Sequence, residues 1–161
     1  SEIRSSFRLL DGEVVPSFQE VLDLDQEKSP IVVELKVYND NYKALAKRTL
    51  QALKQIKDRR NIWIISFDPR ALFYSGHSFM RSLLVCEGKE WTYKYRGFFE
   101  SIDIENTLVQ RSWATSFAHR HYVNVWTIDN KEKFDNVFPF VDTVTFQSMD
   151  GKYVQEQLKS K

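Results

Sequence analysis

Cysteine and glycine are scarce in this chain, and each shortage excludes a class of site. The single cysteine, Cys86, cannot form an internal disulfide, and its place in the apolar run SLLVC is typical of a small buried thiol. Five glycines in 161 residues are few for a cofactor-binding loop, and neither a GxGxxG nor a Walker-type pattern occurs. A Rossmann-type nucleotide site is therefore not expected.

Histidine is also scarce, and the three present do not form a metal-binding pattern. His119 is expected at the end of a helix and His121 just before a strand, positions where hydrogen-bonding or positive side chains are common. Their spacing of two puts them on opposite sides of an extended chain. His77 lies in the loop-like stretch SGHS without a recognisable partner. We expect structural roles for these residues rather than a shared metal.

Neither sign of charge is in excess, since the chain has 23 basic and 22 acidic residues and a net charge of +1. No general field therefore attracts nucleic acid or an anionic membrane. No apolar run approaches the roughly 18 residues of a membrane span, and SEIRSSFRLL does not read as a signal peptide. We expect one soluble domain over residues 1–161, in a cytoplasmic or an exported setting.

Short apolar runs alternate with longer amphipathic segments from Pro30 onward, which is the pattern of a mostly parallel α/β sheet. The predicted strands are IVVELKV (31–37), IWIISF (62–67), SLLVCE (82–87), YVNVWTI (122–128) and VDTVTF (141–146), with a further short one near SIDI (101–104).

Three crossover helices are predicted between and before these strands. A helix after residue 39 has Leu45, Leu50, Leu53 and Ile56 near helical spacing. A second covers about 106–119, with Leu108, Val109, Trp113, Ala114 and Phe117 as its buried stripe. Ahead of the first strand, Ser17 and Glu20 have the spacing of a capping box for the helix FQEVLDL.

The first strand carries two charges, Glu34 and Lys36, which lie on one face roughly 7 Å apart at about 3.3 Å per residue. A strand covered on both faces is close to continuously apolar, because burying an unpaired ion costs several kcal/mol. Three explanations stay open. The two side chains pair with each other or with neighbours, or they are exposed on an edge strand, or they point into a barrel mouth, where active sites gather.

Aromatic residues are the other distinctive feature. Trp126 lies on the strand face opposite Val125 and Thr127, where packing in a core and facing a ligand are both open. The stretch EWTYKYRGFF (90–99) mixes aromatic side chains with lysine and arginine. It fits a surface that stacks on a partner or lipid, and equally a long loop packed by its own side chains.

Four motifs, taken in order, resemble the glycerophosphodiester phosphodiesterase family. They are VVPSFQEVLD (14–23), IVVELKV (31–37), ISFDPRAL (65–72) and AHRHYVNVWTIDN (118–130). They are similar to the family's proline-led helix, its Glu-x-Lys strand, its Ser-Phe strand end and its helix followed by a Val-Asn-Val-Trp-Thr strand. No single motif is strong, but their order and spacing make the resemblance specific and extend it over nearly the whole chain.

The resemblance implies a TIM barrel and a metal-dependent hydrolase that cleaves glycerophosphodiesters to glycerol 3-phosphate and an alcohol. It implies that Glu34 is a ligand of a divalent metal, Mg or Ca, and that Lys36 faces the substrate phosphate. Trp126 is then a wall of the substrate pocket. The implied ligand is a glycerophosphodiester or another phospholipid-derived small molecule, and membrane association of a parent protein is left open.

Several parts of the family pattern do not occur in this sequence. The family's His-Arg-Gly strand, Glu-x-Asp strand and further histidine, which supply the acid/base pair and the other metal ligands, have no match. The stretch VDTVTFQSM also departs from the family's last strand. We therefore expect an incomplete (β/α)8 barrel that lacks the first strands and matches the C-terminal two thirds of the domain. Metal binding is expected to be weak or absent and the chain alone inactive, because hydrolysis needs a cation and an acid/base pair.

Three interpretations follow. The chain is part of a phosphodiesterase domain whose parent carries out catalysis, or a short relative that keeps the scaffold for binding or assembly, or an unrelated α/β domain. His-Arg-Gly and Glu-x-Asp strands encoded upstream would distinguish the first from the second. An incomplete barrel has open sheet edges, so we expect a homo-oligomer with the strand at 31–37 or 141–146 near the interface.

Overall fold

The computed structural model describes residues 2–26 and 28–160, which fold around one six-stranded parallel sheet. The strands lie side by side in chain order, and the sheet curls into an incomplete TIM-like half-barrel, as the resemblance implies. The strands are β1 (Ile31–Glu34), β2 (Ile62–Ser66), β3 (Met80–Val85), β4 (Ser101–Glu105), β5 (Tyr122–Ile128) and β6 (Thr143–Phe146).

Helices connect the strands and cover the outside of the sheet. The α-helices of the described residues are α1 (Glu2–Ser6), α2 (Phe18–Asp25), α3 (Tyr42–Ala52), α4 (Pro69–Tyr74), α5 (Ser112–Ala118), α6 (Lys131–Val137) and α7 (Gly151–Lys159). Short 3₁₀ turns lie at Leu53–Gln55, Arg59–Asn61, Asn106–Leu108 and Phe138–Phe140, and a longer 3₁₀ segment lies at Glu90–Phe98. Every helix among these residues is too short or too polar to cross a bilayer.

The predicted helix before the first strand is confirmed as α2, with the capping box that its sequence indicates. The Ser17 hydroxyl accepts the backbone N–H of Glu20 at 3.2 Å, and the Glu20 carboxylate accepts the backbone N–H of Ser17 at 2.7 Å. Each side chain thus satisfies a backbone donor that the first helical turn leaves free.

The predicted helix over 106–119 is wrong as one continuous element. Its first part is a 3₁₀ turn, and α5 begins only at Ser112, because Arg111 has extended backbone angles that interrupt the helix. Its predicted stripe is nevertheless buried, except for the half-buried Trp113. The helix after residue 39 is also shorter than its pattern, since α3 ends at Ala52 and continues as a 3₁₀ turn.

Strand ends differ from the sequence prediction at four strands. β2 ends at Ser66 rather than at residue 67, β3 lies two residues earlier than the predicted 82–87, and β6 begins at Thr143 rather than at residue 141. β1 ends at Glu34 rather than at residue 37. The backbone N–H of Leu35 still bonds to the carbonyl of Ile65 at 2.8 Å, after which the chain leaves the sheet. Lys36 therefore follows the carboxyl end of β1. The short strand near SIDI is confirmed as β4, and β5 has the predicted bounds.

The two faces of the half-barrel differ in chemistry. The outer face packs on the helices and supplies the apolar core, including Ile64, Leu83, Ile102 and Val123, all fully buried. The concave face carries polar groups in register, since Asp103 of β4 pairs with Asn124 of β5, and Asn124 with Thr143 of β6. A closed barrel would bury this face.

The edges of the sheet stay open in the part of the chain that the structure describes. β1 and β6 each have one neighbouring strand, at opposite ends of the strand order. These are the two strands that the sequence predicts at open edges.

Candidate functional site

Glu34 and Lys36 form an ion pair at the carboxyl end of β1. The Glu34 Oε2 and Lys36 Nζ atoms lie 2.8 Å apart, and the side chains are 29 % and 60 % exposed, respectively. The pairing and the edge position explain how the strand tolerates both charges. The third explanation holds as well, because both side chains line cavities at the carboxyl ends of the strands.

The first of these cavities, which we call the mouth, has a volume of about 260 Å³ on the concave face. Its lining brings together all three residues that the resemblance singles out, Glu34, Lys36 and Trp126. Phe67 and Asp103 are among the other residues that line it. Residues 34, 103 and 126 come from three different strands, and a parallel sheet brings the carboxyl ends of its strands to one edge.

A second cavity of about 530 Å³ shares Glu34, Lys36 and Phe67 with the mouth. Its outer wall includes Trp91 and Tyr95, from the 3₁₀ segment at Glu90–Phe98. The aromatic stretch that the sequence leaves open is thus a folded segment beside the mouth, and two of its rings line this cavity.

Lys36 supplies a stable positive charge in the mouth. The hydrogen bond with the Glu34 carboxylate raises the pKa of the Lys36 ammonium, against the smaller opposing effect of burial. The ammonium therefore stays protonated throughout the physiological pH range. A Lys ammonium has three donors and can hold an anion such as a phosphate while it keeps its carboxylate partner.

Trp126 is half-buried, and its ring is held from two directions. The ring meets Phe67 edge to face, with centroids 5.9 Å apart at an interplanar angle of 84°. Its indole Nε1–H donates to the backbone carbonyl of Asp103 at 3.2 Å. These contacts fix the indole as an apolar wall of the mouth.

Asp103 is the residue of the mouth that sequence reasoning missed. It is only 5 % exposed and accepts a hydrogen bond from Asn124 Nδ2 at 2.6 Å. Burial raises the pKa of the Asp103 carboxyl to about 6, with the Glu34 charge adding to the effect and the Asn124 bond opposing it. The signal was available in SIDIE, where Ser101 and Asp103 alternate with Ile102 and Ile104, and this alternation puts the aspartate on the concave face.

The histidines lie away from the mouth. His77, His119 and His121 are all exposed and none lines either cavity beside Lys36. Cys86 is partly exposed rather than fully buried, and burial of its thiol together with the Glu105 charge raises the pKa. The raised pKa disfavours the thiolate that a nucleophile would need.

The residues of the mouth do not fit the divalent metal that the resemblance implies. Ca²⁺ takes six to eight oxygen ligands, and Mg²⁺ is octahedral and needs at least one or two carboxylates that are free to bind it. Within residues 2–26 and 28–160, no three His, Cys, Asp or Glu side chains come together in a group that could hold an ion. Glu34, the implied ligand, already pairs with Lys36.

The mouth places a cation beside an apolar wall, a combination that suits an anionic ester. Lys36 offers a charge, and Trp126 with Phe67 offers an apolar wall. The mouth's acidic side chains are Glu34 and Asp103, and each is engaged by a neighbour, Lys36 and Asn124.

No family model matches the sequence, and no curated protein matches it either. Solved structures do match its fold. A glycerophosphodiester phosphodiesterase from Parabacteroides distasonis superposes with a TM-score of 0.78 over 99 % of this chain, at 20 % identity. The fold is that of the glycerophosphodiester phosphodiesterases.

Two further structures give the same result. A phosphodiesterase from Oleispira antarctica in complex with the product sn-glycerol-3-phosphate has a TM-score of 0.74 over 91 % of this chain, at 16 % identity. A putative glycerophosphoryl diester phosphodiesterase from Silicibacter pomeroyi has a TM-score of 0.77 over 92 %, at 17 % identity. An unrelated α/β architecture therefore finds no support.

The chain spans only part of these phosphodiesterase structures. It covers 70 % of the Parabacteroides protein, 62 % of the Oleispira protein and 58 % of the Silicibacter protein. Between 30 % and 42 % of each protein has no counterpart here, in keeping with a match to part of the domain.

Asp103 gives the mouth a testable pH signature. Raising the carboxyl pKa from its ordinary 3.8 to about 6 means that the folded state holds the proton more tightly than the unfolded state. Stability is then lost as the pH rises between these values, by up to about 3 kcal/mol. Asp103→Asn, which keeps an acceptor for Asn124, should raise the melting temperature at pH 7.5 and have no such effect below about pH 4.

Thermal melts of Asp103→Asn and wild type across this range make the measurement. Glu156→Gln, which removes one exposed negative charge on α7, is the matched control and should follow the wild-type profile. Parallel pH profiles for wild type and Asp103→Asn would show that the carboxyl does not titrate differently in the folded state.

Proposed function

We propose that this chain carries the phosphodiester-binding mouth of a glycerophosphodiester phosphodiesterase scaffold and that it does not hydrolyse the ester on its own. The observation that carries the proposal is the convergence of Glu34, Lys36 and Trp126 in one cavity at the carboxyl ends of the strands. The similar fold of a phosphodiesterase in complex with sn-glycerol-3-phosphate supports a ligand of this class.

Each residue has a distinct role in the proposal. The Lys36 ammonium binds a phosphate oxygen, while Trp126 and Phe67 pack on the glycerol or alkyl part of the ester. Glu34 holds Lys36 in place through their 2.8 Å contact and is the one side chain left from the implied metal-binding set. Any metal affinity would be weak, because both carboxylates of the mouth, Glu34 and Asp103, are already engaged by neighbouring side chains.

The absence of hydrolysis follows from the chemistry that cleavage requires. Phosphodiester hydrolysis needs an acid and a base within hydrogen-bond reach of the leaving and attacking oxygens, and charge neutralisation at the phosphate. Among the described residues that line the mouth, Lys36 can neutralise charge at the phosphate, and there is no histidine and no second cation. We propose that a parent protein or partner supplies the remaining groups where catalysis occurs.

Assays with glycerophosphocholine and bis(p-nitrophenyl) phosphate test this directly. With Mg²⁺, Ca²⁺ or Mn²⁺ added to the purified chain, we expect no turnover above that of Glu34→Ala. Metal-dependent turnover that Glu34→Ala abolishes would mean that an assembled site is complete, and the proposal of an inactive chain would be wrong.

A second candidate function, a non-catalytic binding or assembly module, is favoured by the open geometry of the sheet. Both edge strands lack a second neighbour in the described structure, and the concave face exposes Val32 at 60 % and Tyr122 at 36 %. Such edges present unpaired backbone groups that can template pairing with another chain. We propose that residues 1–161 act as one unit that associates with itself through these edges.

Size-exclusion chromatography with light scattering measures this association. We expect a dimer or larger species whose interface includes β1 or β6. Val32→Pro in β1 should lower the assembly state, because the Val32 N–H points away from β2 towards the open edge and proline removes this donor. Val32→Lys is the second variant, because it places a charge on the exposed edge strand. Val21→Pro is not a suitable control, because it would break helix α2. A monomer at all concentrations would contradict the assembly proposal.

A further inference from the structure

A third concavity lies at the opposite end of the sheet from the mouth. We call it the basal groove; its volume is about 830 Å³, and it lies between the 3₁₀ segment at Glu90–Phe98 and helix α5 with the residues that follow it. Phe98 comes three residues before β4 begins, and His121 directly precedes β5. These are the amino ends of parallel strands, whereas Glu34 and Lys36 lie at the carboxyl end of theirs.

The lining of the basal groove is positive in a chain that is nearly neutral overall. Lys94, Arg96 and Arg120 contribute three cations, together with His119 and His121. None of the described residues that line it is an aspartate or a glutamate. The chain as a whole has almost as many acidic as basic residues, 22 against 23, so this local excess of positive charge is a departure from its average.

Two of the groups in the groove are held in position before any ligand arrives. The Arg96 guanidinium lies 3.7 Å from the centroid of the Tyr93 ring, which itself packs on Trp113 with centroids 4.4 Å apart. The His121 imidazole stacks on Phe117 at 4.2 Å and an interplanar angle of 16°. A group already fixed in this way loses less conformational entropy on binding.

The guanidinium of Arg96 also keeps donors available. It has five N–H donors, and the hydrogen bond found for it is from Nη1 to the Tyr93 carbonyl at 3.3 Å. No ion pair joins Lys94, Arg96 or Arg120 to a carboxylate among residues 2–26 and 28–160. An arginine whose fork is free of carboxylates can take a phosphate in bidentate geometry.

A purely structural role accounts for only part of this cluster. Arg120 and His119 follow the carboxyl end of α5, where cations offset the helix dipole. Lys94 and Arg96 come from a different segment, about 25 residues earlier, so the dipole of that helix does not explain them. Stabilisation of the helix end therefore does not explain why the cations of both segments line one groove that has no acidic residue among its described lining.

We propose that the basal groove binds a phosphate group that carries two or more negative charges, independently of the mouth. Arg96 and Arg120 supply the main contacts, and Lys94 adds to the field at the rim. The phosphate can belong to a soluble phosphomonoester or to the headgroup of an anionic lipid, since both present the same chemistry, and Phe98, which is 60 % exposed at the groove, could meet an acyl region.

Isothermal titration with pyrophosphate tests the soluble form of this ligand. Wild type should bind saturably with a dissociation constant below about 1 mM. The double variant Arg96→Gln with Arg120→Gln should weaken binding by about tenfold or more, because it removes two charge-assisted contacts. The matched control, Lys47→Gln with Arg48→Gln on the exposed face of α3, removes the same charge elsewhere and should bind as wild type does.

Two further variants keep the result interpretable. Arg120→Glu alone reverses one exposed charge without touching the stacked Tyr93 and Trp113, so it should weaken binding while its melting temperature stays close to that of wild type. The titrations are made in a Lys36→Gln background, which removes the cation of the mouth, so that the remaining pyrophosphate binding reports on the basal groove alone. Failure of the basal-groove proposal in this test would leave the proposed function of the mouth unaffected. Failure of the mouth proposal would likewise leave the basal groove unaffected.

Sedimentation with vesicles of phosphatidylcholine, with and without phosphatidic acid, distinguishes the two sources. Binding to pyrophosphate alone assigns a soluble ligand, and binding that requires phosphatidic acid and is lost in Arg120→Glu assigns a lipid headgroup. The proposal is overturned if neither ligand binds, or if the arginine double variant and the α3 control bind equally well.

Discussion

The structure depends on one constraint, a parallel sheet that curls without closing. Helices cover its outer face, and the fully buried aliphatic side chains of the core lie there. The concave face has no second sheet and no ring of further strands against it in the described structure, so it carries polar side chains in register, Asp103 beside Asn124 and Asn124 beside Thr143. The mouth is the carboxyl end of this open face, and its chemistry follows from the incomplete closure.

The ion pair of Glu34 and Lys36 shows how a structural and a functional explanation can hold together. Pairing at 2.8 Å on an edge strand makes the two charges tolerable, since neither is fully withdrawn from water. The same pair lies at the end of the sheet where barrels of this kind place their sites. Its cost to the fold is therefore low, and its position leaves the ammonium available to an anion.

Short sequence patterns predicted those features that depend only on neighbouring residues. The capping box of α2 requires only Ser17 and Glu20, three residues apart, and the alternation of YVNVWTI fixed β5 at its observed bounds. The four motifs that resemble the phosphodiesterase family predicted the half-barrel, because they occur in the same order along the chain as in the family. The mouth followed in part: Glu34, Lys36 and Trp126 come together, although their roles remain predictions.

What the sequence could not predict depends on contacts between distant segments. Asp103 is buried beside Asn124, which lies on the next strand and donates a hydrogen bond to it. The basal groove joins the 3₁₀ segment at Glu90–Phe98 to residues around His121, and no pattern within either stretch indicates that they meet.

The central claim is that the mouth binds a phosphodiester through Lys36 against the Trp126 ring. The most direct measurement is a titration of glycerophosphocholine into ¹⁵N-labelled protein, followed at the indole N–H resonances of the four tryptophans. The account predicts a saturable shift at Trp126 that is lost in Lys36→Gln, with no shift at Trp113 in the basal groove. An unmoved Trp126 resonance, or an equal shift in Lys36→Gln, would contradict it.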